Sequence, residues 1–204
     1  MADRGFEETL SPHLYFDREH NSEAAKILPG EYYATGREMV LVTVLGSCVC
    51  ACIRDKVSGI GGMNHFMLPE SGQDRGNPLG ESARYGIYAM EILINQLLKM
   101  GAKRNNFEAK VFGGGSVLRG FTVANVGERN AEFVLEFLKT EKIAVAAQDL
   151  LDIYPRKVYY FPSTGLVRVK KLKQVHNDTI INRETAYKTR LHHSKLEGDV
   201  ELFG

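Results

Sequence analysis

The chain has 204 residues, 44% hydrophobic and 25% charged, with a formal net charge of +1. That suits one domain with a sizeable core, and no apolar run reaches the ~18 residues a membrane span needs. The first eight residues lack the basic and apolar regions of a secretory signal, and three cysteines crowded at Cys48, Cys50 and Cys52 make no disulfide framework. A cytoplasmic, reducing setting is expected.

Residues 1–24 read as a polar N-terminal extension, with a short helical turn over 22–28 stopped by Pro29 and Gly30. The aromatic and β-branched stretches 31–35 and 39–44 read as strands. Next come two β-rich runs, 48–53 and 60–68, separated by an Asp/Lys/Ser/Gly cluster, which predict a hairpin with a loop of about four residues. A turn centred between Lys56 and Val57 sets Cys48 directly opposite His65. Residues 70–80 form a loop beside His65 long enough to serve as a substrate-facing lid.

Over 81–100, Ala83, Ile87, Met90, Ile94 and Leu97 recur at helical spacing, closed by Gly101. A strand over 107–112 enters Gly113, Gly114, Gly115 and Ser116. Asn125 with Glu128 predicts a capping box for a second helix running to about Lys139. Strands over 143–147, 157–161 and 166–170 complete the body. Residues 168–195 carry eight Lys and Arg against Asp178 and Glu184, and three acids follow from Glu197 onward. Without regularly interleaved aromatics, residues 173–204 are expected to be a flexible solvated tail rather than a nucleic-acid arm. Hairpins mixed with two long helices predict one α/β domain, its sheet mixed and largely antiparallel.

Opposed side chains across a hairpin have Cβ atoms ~4.5–5.5 Å apart, so a thiol facing an imidazole is a candidate nucleophile and base. Cys48, emerging from Gly46 and Ser47 at the strand's start, is expected to expose its thiol at the sheet end. Cys50 and Cys52 suit inert core positions. A metal site built from these thiols and His65 is disfavoured because one-residue spacing spreads the sulfurs along a line; no metal or cofactor is expected. Such a pair needs a third group to orient the imidazole. Asn64, next to His65, points to the other face, which leaves Thr43, provided the chain breaks at Gly46 and Ser47. The glycine run lacks the Lys-Ser/Thr ending of a phosphate-binding loop and suits a tight turn or a close backbone approach. His13, His20, His176, His192 and His193 are expected on the surface.

The segments Leu45-Gly46-Ser47-Cys48-Val49, Gly61-Gly62-Met63-Asn64-His65-Phe66-Met67-Leu68-Pro69 and Phe112-Gly113-Gly114-Gly115 resemble CheD, the chemoreceptor glutamine deamidases of bacterial chemotaxis. Supporting matches lie at 27–33, 125–130 and 162–165, so the resemblance covers about 25–172, and the tail lies outside it. It implies a three-layer α/β/α fold similar to cysteine-dependent deamidase toxins, with Cys48 as nucleophile, His65 as base and Thr43 as the third member. The implied reaction converts receptor glutamines to glutamates through a thioester, with Gly46, Ser47, Gly113 and Gly114 as oxyanion or substrate-adjacent positions. Receptor cytoplasmic domains and the CheC phosphatase are the implied partners, without nucleic acid or membrane insertion. A cysteine peptidase or amidase and a non-catalytic adaptor remain the competing readings.

Overall fold

The computed structural model describes residues 9–10, 13–69, 80–116, 126–173 and 178–193. The expected lid apart from Gly80, together with Asn125 and His176, lies outside them. In chain order the strands are β1 (Thr9–Leu10), β2 (His13–Asp17), β3 (Ser22–Lys26), β4 (Glu31–Thr35), β5 (Val40–Leu45), β6 (Val49–Asp55) and β7 (Gly61–His65), followed by helix α1 (Glu81–Lys99). Then come β8 (Phe107–Gly113), α2 (Val126–Thr140), β9 (Ala144–Leu150), β10 (Arg156–Phe161), β11 (Leu166–Lys171) and α3 (Asp178–His193).

The α/β class and the largely antiparallel pairing hold, but the strands divide between two sheets. One runs β1-β4-β7-β6-β8-β9 and the other β11-β10-β5-β3-β2. Helices α1 and α2 pack on the six-stranded sheet. Leu41, Leu45, Val158 and Tyr160 of the five-stranded sheet share a core with Cys50, Cys52 and Met63 of the other. The second sheet therefore covers the face that the expected α/β/α layering gave to a helix layer. The strands there alternate, and Val40, Val42 and Tyr159 form a second buried cluster with Ala24 on the other side of that sheet.

Residues 22–26 form a strand rather than a helical turn. Ala24 and Ala25 pair in register with Val40 and Leu41 of β5, and both are fully buried, so tertiary pairing overrides helix propensity. The N-terminal extension thus contributes β1, β2 and β3 to the sheets. His20 is also not a surface residue: its side chain is 4% exposed, beside Tyr159 and Phe161. In α1 the buried face runs through Tyr85, Ala89, Met90, Leu93, Ile94 and Leu97, while Ile87 is 41% exposed.

The β6–β7 hairpin turns one residue later than expected. Its ladder pairs Cys52 with Met63, Ile53 with Gly62 and Arg54 with Gly61, which centres the turn between Val57 and Ser58. Gly59, at φ +75°, supplies the left-handed position. Burial alone would raise the Asp55 carboxyl, but N–H groups of Lys103, Val57 and Ser58 hold it at about 2. By this register Cys50, not Cys48, stands opposite His65.

Candidate active site

Cys48 and His65 meet all the same, as diagonal neighbours. Cys48 lies before β6, in the crossing from the five-stranded to the six-stranded sheet, and its sulfur comes within 4.8 Å of a His65 ring nitrogen. The thiol is fully buried rather than exposed at the sheet end.

The crossing also resolves the parity of Thr43. Because β5 and β6 belong to different sheets, Thr43 looks across the interior at β7. Its Oγ1 lies 2.8 Å from His65 Nδ1 and donates to the Ile27 carbonyl at 2.8 Å. A hydroxyl has one proton, so Nδ1 must donate to Thr43, and the lone pair sits on Nε2. That atom is buried and makes no hydrogen bond among the described residues. Burial pushes the imidazole down to about 4, against the opposing charge of Glu184, so it is neutral at pH 7 and able to accept a proton.

The 46–48 turn is held from several sides. Gly114 N–H donates to Cys48 O at 2.8 Å and Gly115 N–H to Gly46 O at 2.7 Å. Asn130 on α2 donates to Ser47 O at 2.8 Å and accepts from Leu68 N–H at 2.9 Å. Gly113 pairs with Val49 in the β6–β8 ladder; a Cβ there would lie 2.2 Å from Cys48 O. Gly113 and Gly114 therefore lie against the back of the turn, where the Gly114 N–H is taken up by Cys48 O.

At the front, the N–H groups converge on one carboxylate. Glu184 Oε1 accepts from Gly46 N at 2.8 Å and Cys48 N at 3.1 Å. Oε2 accepts from Ser47 N at 2.9 Å and from Ser47 Oγ at 2.6 Å. Glu184 belongs to α3, in the segment expected to be a flexible tail. Burial pushes the Cys48 thiol far above its ordinary range, and the Glu184 charge and hydrogen bond push it the same way. Cys48, His65 and Glu184 bring donor atoms within 4.8 Å of one another, the spacing a metal ion would need. Both carboxylate oxygens, however, already accept two hydrogen bonds each.

Sequence reasoning missed Glu184 and Asn130. For Glu184 a signal existed: Ile180, Glu184, Tyr187 and Leu191 fall on one helical face, and all four are buried. Beside them a cleft of about 410 Å³ opens, lined by Ile27, Thr43, His65, Lys157, Arg183 and Glu184.

A buried thiol, a neutral imidazole of fixed tautomer and a cradle of backbone N–H groups are the equipment of thiol-dependent acyl-transfer chemistry. The family profile described as CheD chemotactic sensory transduction matches residues 67–171. A Methylobacillus flagellatus protein named "Probable chemoreceptor glutamine deamidase CheD" is 67% identical over 198 residues, covering 97% of this chain and 98% of its own. A Thiobacillus denitrificans protein of the same name is 66% identical, over 97% and 98% of the two chains. The chain belongs to the CheD family. With 198 residues aligned, the α3 segment falls inside the similarity, beyond the boundary expected near residue 172. Among solved structures, Bacillus licheniformis YfiH is similar with a TM-score of 0.38 and 11% identity, over 72% of this chain and 63% of that one.

Proposed function

We infer that the chain hydrolyses glutamine side chains on methyl-accepting chemotaxis receptors to glutamate, releasing ammonia. The observation that carries this reading is the cradle of Gly46, Ser47 and Cys48 N–H groups beside the Cys48 thiol, holding a glutamate carboxylate, the group the reaction would produce. The relatives named as chemoreceptor glutamine deamidases support it.

In this mechanism His65 Nε2 takes the Cys48 proton as sulfur attacks the amide carbon, and the carbonyl oxygen becomes an oxyanion in the cradle. Collapse breaks the C–N bond, His65 returns the proton to departing ammonia, and a thioester remains. Water then gives a proton to the same imidazole and attacks the thioester, the C–S bond breaks, and thiol and glutamate are released. Each cradle donor supplies ~10²–10³ in rate, and His65 as acid and base ~10²–10⁴. Thr43 fixes which ring nitrogen does this work.

No helix among the described residues is long and apolar enough to cross a membrane, and the reading places the enzyme in the cytoplasm, where receptor signalling domains lie. Its role is chemotactic adaptation, and CheC phosphatase is a further proposed partner, testable by co-sedimentation. Incubation with purified receptor cytoplasmic domains, with ammonia and chain length followed together, tests the chemistry. Ammonia release from an intact receptor chain is expected. Fragmentation without ammonia would make the enzyme a peptidase, and neither product would leave an adaptor; both outcomes contradict the proposal.

A further inference from the structure

The carboxylate in the cradle belongs to the protein itself. Helix α3 lays one face on the site: Ile180, Glu184, Tyr187 and Leu191 are each no more than 8% exposed, while Thr179, Asn182, Thr185 and Ala186 between them face solvent. Tyr187 and Leu191 join the main core, and Tyr187 hydrogen-bonds Tyr85 of α1 through their hydroxyls. Glu184 is the polar exception on this face. Its side chain takes both Oε1 and Oε2 into the N–H cradle and lies within 4.8 Å of the Cys48 and His65 donor atoms.

We propose that α3 occupies, in cis, the seat that a substrate helix takes during turnover, with Glu184 standing where the product glutamate stands. This rests on the deamidase reading and adds the form of its substrate. The seat accepts a helix, not an extended strand, and reads its sequence around the reactive glutamine: apolar residues four before it, three after it and seven after it, as Ile180, Tyr187 and Leu191 flank Glu184. The same contact makes α3 a competitor. It fills the oxyanion cradle and covers the thiol, whose protonated form is favoured first by burial and then by the Glu184 charge, so a receptor helix must displace it before attack. The neighbouring cleft, with Lys157 and Arg183 at its walls, is the space beside that helix.

If α3 is seated as a substrate, converting its glutamate to the amide makes the protein its own substrate. In Glu184→Gln the carbonyl oxygen keeps the Gly46 and Cys48 N–H groups, the Ser47 hydroxyl turns to accept from the amide nitrogen, and the Ser47 N–H gives up its acceptor. Tethering in one chain then makes attack intramolecular. The full-length variant, incubated alone and analysed by peptide mass spectrometry, is expected to regain glutamate at position 184. The rate should be independent of protein concentration, and the double variant Glu184→Gln/Cys48→Ser should retain the amide. An amide that persists at position 184 in a folded single variant overturns the proposal. Receptor conversion by the wild-type chain, measured in parallel, then shows whether the deamidase reading falls with it. As a second readout, Glu184→Ala is expected to speed iodoacetamide labelling of Cys48 by about tenfold or more. An unchanged rate would contradict α3 as the cover of the thiol.

Discussion

The 46–48 turn is gripped from behind by the Gly114 and Gly115 N–H groups and by Asn130, whereas α3 meets it from the front through one helix face and one carboxylate. The first set is backbone-rich and buried, and a change there has nowhere to relax. The second is one amphipathic helix, 136 residues along the chain from Cys48 at Glu184. The groups that aim the donors, just after β8 and on α2, are thus separate in the chain from the group that receives them, on α3.

Breaking the back of the turn should give the largest effects. Gly113→Ala places a Cβ 2.2 Å from Cys48 O at φ +115°. Strain and overpacking together should cost about 2–5 kcal/mol, read as a lower denaturant midpoint with loss of turnover. Asn130→Ala strands the buried Ser47 carbonyl and Leu68 N–H at about 1–3 kcal/mol each. Retained stability and activity would show that α2 does not position the turn.

Inside the proposed Cys48-His65-Thr43 triad the expected effects are kinetic. Thr43→Val removes the acceptor for Nδ1–H and should lower kcat by about 10–100-fold with the fold intact; wild-type turnover would remove Thr43 from the mechanism. At neutral pH the smallest effect is that of His65 on acid stability, which grows only as the pH falls. Because burial holds His65 at about 4 against an ordinary 6.5, the unfolded chain takes up a proton between those values that the folded chain refuses. Stability is therefore undiminished above pH 6.5 and lost as pH falls towards 4, by at most about 1.4 kcal/mol per pH unit. Denaturant melts of His65→Gln should show a flatter acid limb; an unchanged limb would place the titration elsewhere.

Much of this was legible in the sequence. The β4, β5, β8, β10 and β11 strands and helices α1 and α2 fall within a residue or so of their expected positions, because their periodicity and terminators agree. Residues 22–26 misled because Ala, Glu and Lys favour helix, while their partners Val40, Leu41 and Val42 lie outside any local window. The hairpin slipped by one because the loop at 56–59 uses Gly59 as its left-handed residue, which moves the turn's centre. Cys48, His65 and Thr43 were singled out from residue chemistry and the CheD motifs, but the reason they converge was not. Thr43 reaches His65 because β5 and β6 belong to different sheets. Glu184 stayed hidden in a basic run whose charge suggested a solvated tail, although its own helical face was apolar.

The central claim is that the Cys48 sulfur carries the amide chemistry. Peptide mass spectrometry of receptor cytoplasmic domains after incubation with wild-type and Cys48→Ala protein tests it most directly. Specific glutamines should become glutamates with the wild type and stay unchanged with the variant; conversion at wild-type rate by Cys48→Ala would contradict the mechanism.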